Sequence, residues 1–344
     1  MMVVAELSAN HNQDISLAKE SIYAIKECGA GAVKFQTYTP DSLTLDCKND
    51  FFKIKTSSPW EGKYLYDLYK EAYMPLEWHY ELFALAAKLE LLCFSSVFDE
   101  EGLELLESIN NPIYKIASFE ITDIPLIKKV AKCKKPIILS SGIAMGDDLQ
   151  EAINAIREEN NFDITLLKCI SSYPTSLDSM NLLEMVENGI KYDVKYGLSD
   201  HSLGNEAAII ATTLKASVIE KHFILDKKYG GVDSAFSLDR KEFLEFVKNI
   251  LDTKKALGEE YEIKLEAISR CESRIEEEPK GREFARSLFV CKNIKKGQEL
   301  SLENIKSIRP SYGAKPKYLP LVLGKKAKKD LFFGEPLNLE DIEI

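Results

Sequence analysis

Gly197-Leu198-Ser199-Asp200-His201, a helical stretch from Leu203 to Ala216, and then Val218-Ile219-Glu220-Lys221-His222-Phe223 form the segment whose reading decides the fold. Each of the two apolar runs reads as a short buried strand closed by a histidine, and the stretch between them is long enough for one crossover helix. Such a connection joins parallel neighbours in a right-handed sense. His201 and His222, two of the chain's four histidines, therefore project from the same end of adjacent parallel strands. Two imidazoles brought together in this way are a place to put a metal ion.

Working outward, the same alternation recurs along the chain. Val3 to Ser8, Ala32 to Thr37, Leu91 to Ser96, Ile113 to Ser118, Pro136 to Gly142 and Ile164 to Ser172 read as six earlier strands, with Lys195 to Ser199 and Ser217 to His222 as the seventh and eighth. Helical stretches near 76–90, 99–109, 123–133, 147–159, 178–191, 204–214 and 240–257 follow or separate them, and the first helix carries its apolar stripe on Leu17, Ser21, Ala24, Ile25 and Cys28. Eight such units in about 260 residues have the count and length of a (β/α)8 TIM barrel, an α/β fold. The expected organisation is a barrel over 1–260, a linker over 261–282 and a small β-rich domain over 283–344. A long connection, 38–75, interrupts the regular pattern and reads as functional or disordered.

The 344 residues are 45% hydrophobic, enough for one large core and a small second one. A net charge of −10 argues against general binding to nucleic acid or to an anionic membrane surface. No run reaches the roughly 18 apolar residues of a membrane span. Seven cysteines at scattered positions suit reduced thiols in a cytoplasm better than a disulfide framework. The charge is unevenly spread: residues 283–344 hold ten lysines and two arginines against eight carboxylates, so this part is basic and the remainder acidic. The two parts are electrostatically complementary: the basic one reads either as a solvated lysine face or as a domain that lies over the acidic surface and supplies a cation to an anionic ligand.

The strand ends carry a recurring chemistry. Glu6, Lys34 with Gln36, Ser96, Lys115 with Ser118 and Glu120, Ser140, Ser171 with Tyr173, Ser199 with His201, and His222 all fall at C-terminal ends, which converge on one mouth in a barrel. Two histidines without a third or a cysteine make an open metal site, suited to an Mn2+- or Mg2+-like ion that polarises a carbonyl. Lys34 and Lys115, with the hydroxyls of Ser96, Ser118 and Ser140, could cradle a phosphate or carboxylate, or one lysine could form a Schiff base. Glu6 and Glu120 face the same space as candidate acids or bases. His79, between Trp78 and Tyr80, reads as a packing residue.

Taken in order, Ala5-Glu6-Leu7-Ser8-Ala9-Asn10-His11, Lys34-Phe35-Gln36-Thr37, Tyr114 to Glu120, Gly197 to His201 and Glu220-Lys221-His222-Phe223 resemble the phosphoenolpyruvate-condensing nonulosonate synthases, the sialic acid synthase group. Phe284-Ala285-Arg286-Ser287-Leu288 and Lys306-Ser307-Ile308-Arg309-Pro310 look like the antifreeze-like (SAF) domain that ends those enzymes. The resemblance implies a metal-dependent transferase in which C3 of phosphoenolpyruvate attacks the open-chain aldehyde of an acetamido sugar, water adds at C2 and phosphate leaves. It implies a divalent metal ion (Mn2+, Mg2+ or Co2+) on His201 and His222, and phosphoenolpyruvate on Lys34, Ser96, Lys115, Ser118, Ser140, Ser171 and Ser199. Glu6, Gln36, Tyr173 and Asp233 would hold the sugar and Glu120 would position or deprotonate the water, so that Glu6, Glu120, His201 and His222 carry the catalysis. Arg309 would reach the sugar from the partner chain of a domain-swapped homodimer.

Within that group, Ser8-Ala9-Asn10-His11, Ser118-Phe119-Glu120 and Asp233 to Leu238 look like the branch that uses 2,4-diacetamido-2,4,6-trideoxy-L-altrose. Phe119 stands where other members usually have glycine, and its apolar bulk favours a methyl group over a hydroxyl. A legionaminic acid or N-acetylneuraminate synthase is the alternative enzyme. A non-catalytic sugar-binding protein of the same fold would be expected to have lost a histidine or lysine at the mouth, and both pairs are present.

Overall fold

The computed structural model describes residues 1–56, 58–258 and 279–343. Most of the linker expected at 261–282 lies outside these described residues. Eight parallel strands, β1 (Met2–Glu6), β2 (Ala32–Thr37), β3 (Leu92–Val97), β4 (Tyr114–Ile116), β5 (Ile137–Ser140), β6 (Ile164–Cys169), β7 (Lys195–Asp200) and β8 (Val218–His222), close into a barrel in chain order. The expected (β/α)8 architecture is therefore the observed one. Closure comes from β1 and β8, whose register sets Glu6 opposite His222.

Helices α1 (Ile15–Glu27), α2 (Pro40–Leu43), α3 (Leu65–Ala72), α4 (Trp78–Lys88), α5 (Glu100–Ser108), α6 (Ile124–Lys132), α7 (Asp148–Glu158), α8 (Leu183–Tyr192), α9 (Glu206–Thr213) and α10 (Arg240–Leu257) follow the strands. Their apolar stripes bury against the outer faces of the strands, as Ala18, Ile22 and Ile25 of α1 and Phe243, Phe246 and Ile250 of α10 do in one continuous cluster. Several elements are shorter than their sequence patterns, and two of them have a clear local cause. Strand β4 stops at Ile116 because Ser118–Glu120 turns into a single 3-10 turn, where the Ser118 hydroxyl accepts from the Ile143 amide at 3.0 Å. Helix α8 starts only at Leu183 because Asn181 adopts a left-handed conformation (φ 42°).

Inside the barrel, side chains alternate between the two faces of each strand. Val4, Ala32, Phe94, Ile138, Leu167 and Val218 form an apolar plug. Gly197 is part of this plug by necessity, since a Cβ there would sit 2.3 Å from the Val218 carbonyl oxygen. One step further along each strand, the interior becomes polar.

The C-terminal residues form a separate core of Leu288, Val290, Leu300, Ile305, Leu331 and Leu337 around the antiparallel pair β9 (Ser287–Val290) and β10 (Ile305–Ile308). This unit caps the barrel mouth. The connection 38–75 is its seat: Tyr38, Leu43, Phe52, Leu65 and Tyr69 pack with Phe284, Phe289 and Ile308 of the cap. The Arg309 amide donates to the Leu43 carbonyl at 2.9 Å, and the Thr44 hydroxyl donates to the Arg309 carbonyl at 3.0 Å. The complementary charges also meet. Asp148 takes Arg282 at 2.8 Å and Lys315 at 2.9 Å, and Glu151 takes Lys317 at 2.6 Å.

The described cysteines are free thiols. No helix among the described residues is long and apolar enough to cross a membrane. His79 is a buried packing residue, bonded through its ring to the Thr37 hydroxyl at 2.8 Å and to the Leu76 carbonyl.

Candidate active site

Immediately above the apolar plug, β1, β2, β4, β7 and β8 each send one polar side chain inward. Glu220 is the centre of this layer. Its carboxylate lies 3.2 Å from Lys34 Nζ and 3.2 Å from Lys115 Nζ, and it accepts from the Ser199 hydroxyl at 3.1 Å. Lys34 also pairs with Glu6 at 2.9 Å and donates to Ser96 at 3.2 Å. All of these groups are buried. Burial would push the Glu220 carboxyl up, but the two ammonium groups outweigh it and hold the acid well below its usual range. Glu6 moves the other way: burial and the Glu220 charge raise its carboxyl to about 7 even though Lys34 opposes them. Burial pushes Lys115 down, whereas for Lys34 the two neighbouring carboxylates overcome burial and raise it.

A second group of hydroxyls lies at and just beyond the ends of β4, β5 and β6. Ser118 and Ser171 approach to 2.9 Å beside Gly142. A Cβ on Gly142 would fall 2.4 Å from the Ser171 hydroxyl and 2.6 Å from that of Ser118, so the glycine leaves open the space the two serines face. The Ser140 hydroxyl is buried without a partner. Together these side chains form a hydroxyl-lined counterpart to the lysines.

The two histidines stand over this floor with ring centroids 5.5 Å apart, and the Tyr173 ring lies 4.4 Å from His201. His201 Nδ1 faces the Ile170 carbonyl at 2.8 Å, which can only accept, so Nδ1 carries a proton and the neutral imidazole has its lone pair on Nε2. Nδ1 of His222 is buried without a partner, and burial together with His201 holds its imidazole far below the usual protonation range. The loop carrying His201 is pinned from outside the barrel, where Lys221 pairs with Asp200 at 2.7 Å in full burial and also donates to the Ser202 carbonyl. This donor set suits a two-histidine metal site. Among the described residues no three His, Cys, Asp or Glu side chains could hold a metal by themselves, so substrate or water would complete its coordination.

Gln36 donates to Glu6 at 2.9 Å and to Ser8 at 2.8 Å, and Ser8 donates to Asp233 at 2.5 Å. Glu6, Gln36 and Asp233 thus form one polar edge of the mouth. Glu120 stands apart. Its Oε1 accepts from Arg309 at 2.6 and 3.1 Å and from Arg286 at 3.3 Å, while its Oε2 is buried without a partner. Its ion pairs are with the cap and not with the lysines, and Arg309 reaches the barrel of its own chain.

Sequence reasoning assigned no role to Glu220, Ser8 or Arg286. A signal existed for Glu220, which precedes His222 by two positions on one strand and so must share its inward face. Ser8 and Arg286 carried no such signal, because their partners Asp233 and Glu120 are distant in sequence.

Charged and hydroxyl side chains gathered at the C-terminal ends of a closed parallel barrel mark an enzyme of the barrel class. Comparison with known proteins narrows that class. The NeuB family profile matches residues 21–262 and the SAF domain profile matches residues 285–343. The chain belongs to the NeuB family. It is 54% identical to a pseudaminic acid synthase of Helicobacter pylori over 99% of this chain and 97% of that protein. It is 45% identical to a pseudaminic acid synthase of Campylobacter jejuni over 100% of this chain and 97% of that protein. Among solved structures, a spore coat polysaccharide biosynthesis protein of Bacillus subtilis superposes with a TM-score of 0.82 at 29% identity, covering 100% of this chain and 95% of the other.

Proposed function

We propose that the chain is a pseudaminic acid synthase, which condenses phosphoenolpyruvate with 2,4-diacetamido-2,4,6-trideoxy-L-altrose and water to give pseudaminic acid and phosphate. The observation that carries this reading is the convergence of Lys34 and Lys115 on one carboxylate, Glu220, beside two imidazoles. Two buried ammonium groups held by a protein anion are a site prepared for a substrate anion. Identity of 54% to a protein of that name over nearly the full chain supports the choice of sugar.

In this reading Lys34, Lys115, Ser96 and Ser199 take one end of phosphoenolpyruvate, and Ser118, Ser140 and Ser171 take the other across the space left by Gly142. The carboxylates of Glu220 and Glu6 hold Lys34 as ammonium, which disfavours a Schiff base on it. Glu6, Gln36, Tyr173 and Asp233 orient the sugar from the opposite edge. Glu6, raised by burial, holds a proton near neutral pH and can donate it to a sugar hydroxyl or to the developing alkoxide. The unpartnered Oε2 of Glu120 is available to the attacking water, while the cap arginines fix the rest of that carboxylate. His201 and His222 would hold a divalent ion (Mn2+, Mg2+ or Co2+), which when bound supplies Lewis-acid polarisation of the aldehyde. The enzyme works in the cytoplasm, and in a domain-swapped homodimer the Arg309–Glu120 pair seen here within one chain would be made between chains.

Phosphate release from phosphoenolpyruvate against three sugars tests the assignment: the diacetamido-trideoxy sugar, its legionaminic precursor and N-acetylmannosamine. Preference for the first is expected, and equal turnover of N-acetylmannosamine would refute it. Chelation should abolish turnover and Mn2+ restore it. For the dimer, mixing inactive Arg309→Ala with inactive His222→Ala should regain partial activity, and no recovery despite subunit exchange would place the whole site in one chain.

A further inference from the structure

Beyond the histidines the mouth opens into a cavity of about 460 Å3 that is walled from both sides of the domain boundary. Trp60 and Tyr173 line one side with ring centroids 5.7 Å apart, and Phe119 and Phe284 line the other, 5.5 Å apart. Phe284 belongs to the cap. Trp60 presents only its face, because its one N–H donates to the Val232 carbonyl at 3.0 Å. At the inner end Tyr173 lies 4.4 Å from the His201 ring, and Ser171 of the hydroxyl group lines the cavity. The cap's leading edge is fitted closely to the barrel here. Gly281 has φ +81°, and a Cβ on it would fall 2.7 Å from the Ser171 carbonyl oxygen and 3.2 Å from the Phe119 ring. Any other residue would suffer a strained backbone and push the edge outward.

The four rings offer apolar faces to methyl groups, and the polar residues Thr56, Ser58, Ser171, Ser172, Glu283 and Ser311 around them could serve the sugar's amide and hydroxyl groups. We propose that this slot is the subsite for the apolar groups of the sugar, its C6 methyl and acetamido methyls, and that the cap's Phe284 is a specificity-determining residue. The proposal rests on the sugar assignment above. It makes the cap a wall of the sugar site in its own right, in addition to the arginine it carries.

The test uses the full-length enzyme with Phe284→Ala, Phe284→Leu, Gly281→Ala and Phe119→Gly, scoring KM for phosphoenolpyruvate and for each of the three sugars. Phe284→Ala should raise KM for the diacetamido-trideoxy sugar about 10- to 100-fold and narrow its advantage over N-acetylmannosamine, with KM for phosphoenolpyruvate within about twofold. Phe284→Leu should recover most of the loss, and Gly281→Ala should reproduce it with every aromatic retained. Phe119→Gly, from the opposite wall, should relax selectivity even if Phe284→Ala folds poorly. An unchanged sugar ratio in these variants, or equal rises in both KM values, would overturn the slot. If the wild type instead prefers a different sugar, the functional reading fails separately, and an unchanged KM for that sugar in Phe284→Ala and Gly281→Ala would still refute the slot.

Discussion

The barrel mouth and the face beneath the cap both bury carboxylates against cations, but they do so by different means. In the mouth, Glu220, Lys34, Lys115 and Ser199 come from strands whose inward positions are set by backbone alternation, so the partners meet wherever the barrel closes. Beneath the cap, Glu120 meets Arg286 and Arg309, which are 166 and 189 residues away in sequence and arrive only when the second domain docks. Charges placed by a closed barrel cannot separate without unfolding. Charges placed by docking can part while both domains stay folded.

The largest expected effect is at Glu220. Glu220→Ala leaves Lys115 without an anion and should cost about 3–5 kcal/mol in urea unfolding together with nearly all activity. A loss under about 1 kcal/mol would break the comparison, because it would mean the mouth can relax as an interface does. Arg309→Ala comes next. Arg286 still faces Glu120, so the stability loss should be about 1–3 kcal/mol, while turnover in steady-state assays is lost. Loss of the global fold in this variant would show that cap and barrel are a single cooperative unit.

The pH dependence of Glu6 sharpens the mouth side. Its carboxyl rises from 4.5 to about 7 in the fold, so between those values the folded state binds a proton that the unfolded state has released. Stability from this group is complete at the acid end and is lost as pH rises through about 7. Wild type measured against Glu6→Gln should therefore lose relative stability from acid to neutral pH. A gain over that range would mean that Lys34, not burial, governs Glu6. The smallest effect belongs to the rim of the interface. Lys317→Ala removes a partly exposed pair with Glu151 and should change stability by about 0–1 kcal/mol, with the difference vanishing in high salt.

Much of the mouth could be read before any coordinates. Lys34, Lys115, Ser199, His201 and His222 are all found at C-terminal strand ends in phase with their neighbours, and period-two alternation alone sends them inward. Glu220 obeys the same rule, two positions before His222 on one strand. Lys221 in fact points outward to Asp200 and holds the loop of His201. The connection 38–75 was the least legible segment. Outside α3, whose buried Leu65, Leu68, Tyr69 and Ala72 follow a helical period, its apolar residues match the shape of the cap and not a sheet.

By itself the sequence determined the barrel, its strand order and the identity of the inward polar residues, since periodicity and element length are local properties of the chain. It left the basic C-terminal part open between a solvated lysine face and a cover over the acidic barrel. Only the tertiary structure decided which charges pair, that Glu120 turns to the cap, and that Phe284 and Gly281 complete an aromatic slot with Phe119 and Trp60. Those contacts join residues far apart in sequence, and they depend on packing between domains, which no local pattern encodes.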